Sequence, residues 1–339
     1  MKKSKSRLPK ISILIVTLNN QRTLEECLKT IKEQDYPKEL IEYLNVDGGS
    51  TDSTTSILKR YDFTVVKSYI KKDAEAQRSI GIARAKHNLI VSIDADNYLS
   101  TNQWLQQMIL PFIEDKEVIH ANTMHYQYKK NAEFFNRYTA LFGISDPIVF
   151  YVGRPDRVAQ TQKIWTQGKV IKETKNHYIV EFSKETLPTV GCNGVVYRKD
   201  ILLKYAESDY KKFLHIDVFA DAIDKGFIRF AIVKNDVFHD TAVTLGLLIK
   251  KRLAFLRSYY LRPSIQRRYL IYNPKRFSDN LKLFLFILYT ITFIKPLFDS
   301  VRGYLLIRDS AWFAHPLVCW VYLYTYSLST IRNIIKTHK

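Results

Sequence analysis

Two aspartates, Asp94 and Asp96, stand one residue apart at the end of the apolar run Leu89–Ile93. Such a run is typical of a buried parallel strand, and open α/β folds bind ligands beyond the carboxyl ends of these strands. Two neighbouring carboxylates repel each other unless a cation neutralises them. A divalent metal that carries phosphate groups suits their hard oxygen atoms. An Asp–Asn turn after the strand explains the same residues without any metal.

The elements that position these carboxylates follow from the neighbouring sequence. Apolar runs at Ile11–Thr17, Ile41–Val46 and Phe63–Val66 predict strands, and amphipathic segments between them predict helices. This order indicates an α/β fold with a doubly wound, mostly parallel sheet flanked by helices. Gly48 and Gly49 follow the second strand and precede a helix, whose free N–H groups favour an anion.

The composition narrows the class of partner. The chain of 339 residues has 52 Lys and Arg against 33 Asp and Glu, a net charge of +19, which favours anionic partners. Nucleic acid is not expected among them, because strand-end carboxylates would repel its phosphates in the absence of a metal. The three cysteines, Cys27, Cys192 and Cys319, are far apart, which argues against a disulfide framework and suits a reducing compartment.

The C-terminal region differs from the rest of the chain. Leu281–Phe298 and Ala311–Leu328 are almost wholly apolar, and each is near the length of about 20 residues that spans a membrane. They predict an apolar helical pair, a membrane-associated hairpin over residues 279–339, preceded by a basic amphipathic linker over 243–278. Interfacial or re-entrant helices and a buried soluble pair are the alternatives.

Three segments resemble the inverting nucleotide-sugar glycosyltransferases of family 2, which have the GT-A fold. They are IVTLNN at Ile15–Asn20, VDGGSTD at Val46–Asp52 and RSIGIARAKHNLIVSIDADN at Arg78–Asn97. The resemblance covers residues 10–240. It implies a catalytic domain over 11–242, after a basic tail at 1–10, with a nucleotide-binding half at 11–124 and an acceptor half at 125–242.

The resemblance implies that six residues bind the donor: Thr17, Asn19, Asp47, Arg78, Asp94 and Asp96. Asp47 would accept a hydrogen bond from a pyrimidine N–H; the alternative is a turn aspartate that caps the next helix. Asp96 would hold Mg²⁺ or Mn²⁺ on the diphosphate, while Asp94 would contact the ribose or a water on the metal. His239 would be either a metal or diphosphate ligand, or a packed core histidine.

Inversion at the sugar carbon requires a base that removes the proton of the acceptor hydroxyl. In the family this base is an aspartate at the start of a helix, usually within an acidic pair. The matching segment here, Leu214–Asp217, departs from that pattern and contains one carboxylate, Asp217, which we expect to be the base. His215 is the alternative base, since histidine accepts protons near neutral pH. A partly buried loop histidine explains His215 without catalysis.

These features predict a metal-dependent hexosyltransferase of the cell membrane, with its catalytic domain in the cytoplasm. It would move a sugar from a nucleotide-sugar donor to a lipid-linked or surface-glycan acceptor of cell-envelope polysaccharide synthesis, beside an anionic membrane. One alternative is a polyprenyl-phosphate glycosyltransferase. A second is a nucleotide-sugar-binding protein without transfer activity, because the acidic pair is missing. The residues that select the substrate are expected in 125–185, a long loop or lid without a motif.

Overall fold

The computed structural model describes residues 8–70, 73–206, 213–240, 244–260 and 267–337. These form two compact units, one within Met1–Met124 and Trp165–His239, the other within His125–Ile164 and Asp240–Lys339. Most of the predicted tail 1–10 and parts of the predicted linker 243–278 lie outside the described residues. The predicted boundaries at 124/125 and 242/243 separate regions by function, whereas the two compact units are defined by contacts. The predicted boundaries therefore stay a prediction.

The first unit is built on a mixed sheet. Its strands are β1 (Ile11–Thr17), β2 (Ile41–Asp47), β3 (Thr64–Lys67), β4 (Leu89–Asp94), β5 (Asn97–Leu99), β6 (His120–Tyr126), β7 (Lys169–Glu173), β8 (His177–Glu181), β9 (Val195–Arg198) and β10 (Arg229–His239). Within the described residues nine of these ten strands run in the order β3-β2-β1-β4-β9-β6-β10-β8-β7, and the tenth, β5, pairs with β10. The strands β3-β2-β1-β4 are parallel, whereas β4–β9, β9–β6, β10–β8, β10–β5 and β8–β7 pair antiparallel.

Helices occur in both units, beside the sheet in the first and as most of the second. In chain order the described residues contain α1 (Gln21–Lys32), α2 (Thr54–Arg60), α3 (Ala74–Arg84), α4 (Trp104–Glu114), α5 (Phe134–Phe142), α6 (Pro147–Tyr151), α7 (Lys199–Tyr205), α8 (His215–Asp224), α9 (Leu245–Phe255), α10 (Phe277–Thr292), α11 (Ile294–Leu306) and α12 (His315–Thr337). Short 3₁₀ turns occupy Lys38–Leu40 and Ser310–Ala314, and a π-helical turn at Leu256–Tyr260 follows α9.

The burial of β1 shows that both faces of the sheet are covered. Ile11, Ile13, Leu14 and Ile15 are each at most 1% exposed, although neighbouring residues of a strand point to opposite faces. Helix α3 lies directly on β1. The two are so close at Gly81 that a Cβ there would be 2.3 Å from Cδ1 of Leu14. The predicted α/β fold with a doubly wound sheet is therefore confirmed.

The second unit consists of α5, α6 and α9–α12. Its core cluster contains Tyr138, Leu141, Phe142, Leu248, Ala311, Trp312, Ala314, Val318 and Tyr322. His315 lies beside this cluster, with its ring stacked on Phe142 at 4.0 Å between centroids. Its two ring nitrogens are each 3.0 Å from a tyrosine hydroxyl, that of Tyr138 at Nδ1 and that of Tyr151 at Nε2.

The predicted C-terminal helical pair is present, but its first apolar stretch is divided. Phe293 has a φ of 59°, in the left-handed region, and separates α10 from α11. Pro296, in the first turn of α11, has no N–H and prevents one straight helix through this point. In the described part of the chain no single helix has the length and apolar composition of a membrane span. The bent pair α10–α11, with 79° between its helices, meets that criterion as a pair.

Candidate active site

The ends of three parallel strands meet at one edge of the sheet. In the register of β1 and β2, Thr17 lies opposite Asp47, and in that of β1 and β4, Val16 lies opposite Asp94. Because these strands run in the same direction, their carboxyl ends bring Thr17, Asp47 and Asp94 to the same edge. This is the edge at which open α/β sheets bind ligands.

Asp47 organises the loop that follows β2. Its carboxylate accepts hydrogen bonds from Thr17 Oγ1 at 2.9 Å, from the backbone N–H groups of Gly49 and Ser50 at 3.0 and 2.8 Å, and from Ser50 Oγ at 2.5 Å. These four bonds account for the roughly four lone-pair sites of a carboxylate. Asp47 therefore acts as a turn aspartate in this structure, and a bond to a nucleobase would require the exchange of one of them.

Asn19 connects the first loop to the same turn. It has a φ of 55°, a conformation that asparagine tolerates better than most residues. Its backbone N–H donates to Ser50 Oγ at 2.9 Å, and its side-chain Oδ1 accepts from the N–H of Thr51 at 2.8 Å. The loops after β1 and β2 are thus joined by the side chains of Ser50 and Asn19, and Asn19 is one of the predicted donor residues.

Asp94 pairs with Arg78. Nη2 of Arg78 donates to Oδ1 of Asp94 at 2.9 Å, and the side chain of Asp94 is about one third exposed. Burial and the negative charge of Asp96 raise the pKa of Asp94, while the Arg78 guanidinium opposes the rise. The pair therefore consists of a partly exposed carboxylate at the carboxyl end of β4 and a buried guanidinium behind it.

Asp96 lies next to His239. Nε2 of His239 is 3.4 Å from Oδ1 of Asp96. The contact depends on β5 and β10, whose antiparallel register sets Asn97 opposite His239. A carboxylate oxygen and an imidazole nitrogen at this separation are ligand types that Mn²⁺ accepts, and the oxygen also suits Mg²⁺. The residues present therefore fit a divalent cation.

His215 is held by a glutamate that the sequence did not single out. Nδ1 of His215 donates to Oε2 of Glu75 at 2.8 Å, and Nε2 donates to the carbonyl oxygen of Val190 at 2.9 Å. Two acceptors require two ring protons, which makes the ring an imidazolium. Burial disfavours this charge, but Cys192 and Glu75 outweigh it, so the pKa of His215 is raised well above its usual value. In this arrangement His215 has no free lone pair with which to act as a base.

Glu75 also contacts Arg78, three residues later in α3. Nη1 of Arg78 donates to Oε1 of Glu75 at 2.7 Å. Burial opposes ionisation of Glu75, but His215 and Arg78 lower its pKa to about 2. The spacing of three residues on one helix face is the sequence signal for this pair.

Glu75 and His215 also belong to a group of three residues of types that can bind a metal ion. The ligand atoms of Glu75, Cys192 and His215 all lie within 4.8 Å of one another, and all three residues are buried. Both ring nitrogens of His215 already donate hydrogen bonds, and Glu75 already has two cationic partners. These contacts satisfy the charge of Glu75 without a metal.

Asp217 lies two residues beyond His215, in the first turn of α8. Its side chain is buried, with 0% of the residue exposed, and its backbone N–H donates to Leu214 at 3.0 Å.

Comparison with known proteins identifies the family. The chain matches Glycosyl transferase family 2 over residues 12–187, more than half of its length. It is 33% identical over 103 residues to the poly(ribitol-phosphate) beta-glucosyltransferase of Bacillus spizizenii. The aligned segment covers 29% of this chain and 16% of that protein. It is also 33% identical over 94 residues to a dolichyl N-acetyl-alpha-D-glucosaminyl phosphate 3-beta-D-2,3-diacetamido-2,3-dideoxy-beta-D-glucuronosyltransferase of Methanococcus voltae, covering 26% of this chain and 29% of that protein.

A solved structure supports the fold. The chain is similar to the mannosyltransferase PcManGT from Pyrobaculum calidifontis in complex with GDP-Man and Mn²⁺, with a TM-score of 0.52 and 12% identity, covering 96% of this chain and 88% of that one. The matched segments span less than a third of the two curated relatives named above. Because the family match covers more than half of the chain and includes the strand-end aspartates of β2 and β4, the chain belongs to glycosyl transferase family 2.

Proposed function

We propose that this chain is an inverting, metal-dependent hexosyltransferase that moves a sugar from a nucleotide-sugar donor to a lipid-linked or glycan acceptor. The observation that carries the proposal is the common edge at which Thr17, Asp47 and Asp94 end three parallel strands. Open α/β sheets bind ligands at this edge, and membership of family 2 favours a nucleotide-sugar as the ligand.

The donor would lie across the loops that follow β1, β2 and β4. The loop after β2 lies close to α3. A Cβ at Gly48 would be 2.3 Å from Nε2 of Gln77, which lies on that helix. Arg78, on the same helix, supplies a buried positive charge beside Asp94 for the diphosphate or ribose. These residues bind and orient the donor, while the acceptor chemistry belongs to α8.

A divalent cation, Mg²⁺ or Mn²⁺, would be held by Asp96 and His239. When bound, it would offset the negative charge of the nucleoside diphosphate as that group leaves. The contact between the two residues supports this assignment, because a carboxylate oxygen and an imidazole nitrogen 3.4 Å apart can bind the same ion.

Asp217 is the proposed base. It would remove the proton of the acceptor hydroxyl while that oxygen attacks the sugar carbon from the side opposite the diphosphate. The imidazolium form of His215 supports the choice of Asp217, since His215 has no lone pair to accept the proton. Asp217 is fully buried, so the binding of the acceptor has to uncover it.

The proposed acceptor is a lipid-linked or polymeric glycan. The names of the two relatives describe a transferase for poly(ribitol phosphate) and one for a dolichyl-phosphate-linked sugar. An acceptor on a lipid carrier would reach the site most readily if the protein lies at a membrane. We therefore propose a location at the cytoplasmic face of the cell membrane, and the exposed apolar side chains of α10 and α11 support contact with a membrane.

Helices α10 and α11 expose many large apolar side chains and bury several polar ones. Large apolar side chains on their outer face are 44–73% exposed: Phe284, Leu288, Ile291, Ile294, Leu297, Phe298, Leu305 and Leu306. Their buried positions include Asp279, Thr290 and Ser300. Patches of exposed apolar groups this extensive mark protein or membrane contacts.

The charges around these helices favour an anionic membrane as the partner. Residues 267–337 contain three acidic residues, and each faces the protein: Asp279 is buried, Asp299 accepts from Tyr151 at 2.9 Å, and Asp309 accepts from Tyr128 at 2.7 Å. The exposed charges there are basic, among them those of Lys275, Arg302, Arg308 and Arg332. Basic groups beside apolar side chains bind the interface of acidic phospholipids.

A donor and acceptor screen tests the function. UDP-, GDP- and dTDP-sugars would be offered with Mn²⁺ or Mg²⁺ and either a lipid-linked glycan or a bare polyprenyl phosphate. Transfer to the glycan with inverted anomeric configuration is the expected result. Transfer to polyprenyl phosphate alone would favour that alternative, and donor binding without turnover would indicate a binding protein. Failure to bind any donor would overturn the proposal.

A further inference from the structure

Helix α8 begins without a side-chain cap of its own. Its N-cap residue, Leu214, has an apolar side chain that accepts no hydrogen bond from the first turn. The first N–H groups of a helix lack intrahelical partners and need an acceptor. Here Oε2 of Glu75, on α3, accepts from the backbone N–H of His215 at 3.2 Å. A carboxylate from another helix therefore occupies the place of the missing cap.

The two oxygens of Glu75 serve different partners. Oε2 binds both the backbone N–H and the ring Nδ1 of His215, whereas Oε1 binds Nη1 of Arg78 at 2.7 Å. Arg78 uses its other terminal nitrogen, Nη2, to bind Asp94 at 2.9 Å. A continuous series of charged contacts therefore runs from the carboxyl end of β4 to the first residue of α8.

We propose that Glu75 is a positioning residue that fixes the start of α8, and with it Asp217, relative to the Arg78–Asp94 pair. This inference rests on the proposed function, because it gives Asp217 the role of base. Glu75 does not touch the reacting atoms. It acts through Arg78 on the donor side and through His215 on the side of the base.

Burial makes these contacts mutually dependent. Glu75 and Arg78 are each 4% exposed and His215 is 8% exposed, so water cannot replace a lost partner. Among the described residues, the pKa of His215 is raised by Cys192, from the segment before β9, and by Glu75, from α3; Arg78 contacts the other oxygen of Glu75. Removing the charge of Glu75 therefore deprives both His215 and Arg78 of a buried acidic partner.

The state of the His215 ring tests the contact without any substrate. Nitrogen NMR of the ¹⁵N-histidine-labelled protein at pH 8 should show His215 protonated on both Nδ1 and Nε2. In Glu75→Gln the same ring should lose a proton as the pH rises through the ordinary histidine range of about 6.5. A neutral His215 at pH 8 in the unmodified protein would overturn the proposal, whatever the protein proves to transfer.

Kinetics of matched variants test the positioning role. Glu75→Gln should lower kcat at least about tenfold and change the donor KM less, because interactions that orient the reacting groups act in the transition state. The control is Glu42→Gln. Glu42 binds Ser12 Oγ at 2.5 Å and the N–H of Lys86 at 2.7 Å at the opposite, amino end of the strands, and its loss should leave kcat unchanged.

A second variant separates positioning from direct catalysis. His215→Gln keeps the backbone N–H that Glu75 caps, so it should lose less kcat than Glu75→Gln. Complete loss of transfer in His215→Gln with full activity in Glu75→Gln would overturn the proposal. If Glu75→Gln does not fold, a drop in kcat of Glu75→Asp that exceeds that of His215→Gln supports the proposal, and the reverse order contradicts it.

Discussion

Nε2 of His239 lies 3.4 Å from Oδ1 of Asp96, across the pairing of the short strand β5 with the last strand of the sheet. A carboxylate and an imidazole are joined here at the edge that carries the proposed donor site. If they hold the cation, donor binding should depend on both residues and on the metal. The effects of changing either one should vanish when the metal is removed.

The metal assignment predicts the behaviour of Asp96→Asn. This change should weaken Mn²⁺-dependent binding of the donor nucleotide at least about tenfold, because an amide is a poorer ligand than a carboxylate. Calorimetric titration with and without EDTA measures the effect. Asp62→Asn is the control, since Asp62 forms an exposed ion pair with Lys32 at 3.5 Å. Normal metal-dependent binding by Asp96→Asn would show that the metal lies elsewhere.

The base assignment predicts a different result for Asp217→Asn. Donor binding should be retained while kcat falls by about 10²–10⁴, the usual contribution of a general base. Asp221→Asn, one turn farther along α8, is the matched control and should keep most of its activity. Rapid mixing of enzyme, donor and acceptor under single-turnover conditions measures the transfer step. Equal rates in the two variants would remove Asp217 from the mechanism.

The Glu75–His215 pair predicts how stability depends on pH. The pKa of Glu75 falls from 4.5 to about 2, so its contribution is present above pH 4.5 and is lost as the pH falls toward 2. The pKa of His215 rises from 6.5, so its contribution is complete below pH 6.5 and is lost as the pH rises through the raised value. The difference in unfolding free energy between the protein and Glu75→Gln should be largest between pH 4.5 and 6.5. Denaturant titrations across pH measure it, and a constant difference from pH 3 to 6 would contradict the pairing.

Two aspartates of one loop should differ in their effect on stability. Asp47→Ala removes the acceptor of four hydrogen bonds at a site that is 2% exposed, and it should cost about 2–4 kcal/mol of unfolding free energy. Asp52→Ala removes bonds from the N–H groups of Gln21 and Thr54 near solvent, and it should cost about 1 kcal/mol. Urea unfolding compares the two, and equal losses would contradict the turn-ordering role of Asp47.

The membrane location predicts the result of vesicle flotation. The full chain should float with vesicles that contain acidic phospholipid, and less so with neutral ones or at high salt. Replacing Phe284 and Leu288 together with Glu should release it, because two buried charges oppose insertion of α10. Ile171→Glu is the control, since Ile171 is similarly exposed on β7 of the other unit. Self-association of the unaltered protein without vesicle binding would instead indicate contacts between copies.

Local patterns in the sequence predicted the parallel half of the sheet. Strands β1, β2 and β4 are buried on both faces, so each is a continuous apolar run that can be recognised without knowledge of its neighbours. The hairpin β7–β8 was not predicted within the expected loop 125–185. Residues Lys169–Glu173 are exposed along their whole length, and their pairing with β8 leaves no buried pattern in the sequence.

The contacts of Glu75 could not be predicted in the same way. A glutamate in the first turn of a helix is common, because the helix dipole favours it there. Its partner His215 comes 140 residues later, and only the packing of α3 near α8 brings the two together. The break at Phe293 had a local signal, since Lys295 and Pro296 interrupt the apolar stretch, but composition alone made Leu281–Phe298 resemble one helix.

Because β5 pairs with β10, the two proposed cation ligands become available at different times during synthesis of the chain. All the aspartates of the donor motifs leave the ribosome within Met1–Met124, but His239 follows only at the end of β10. Contacts between segments so distant in the chain form late, because a long loop must close first. A nascent chain that has exposed its donor motifs therefore lacks half of the proposed cation ligands. If Asp96 and His239 hold the cation as proposed, tight, metal-dependent binding of a nucleotide-sugar should begin only after translation has passed β10.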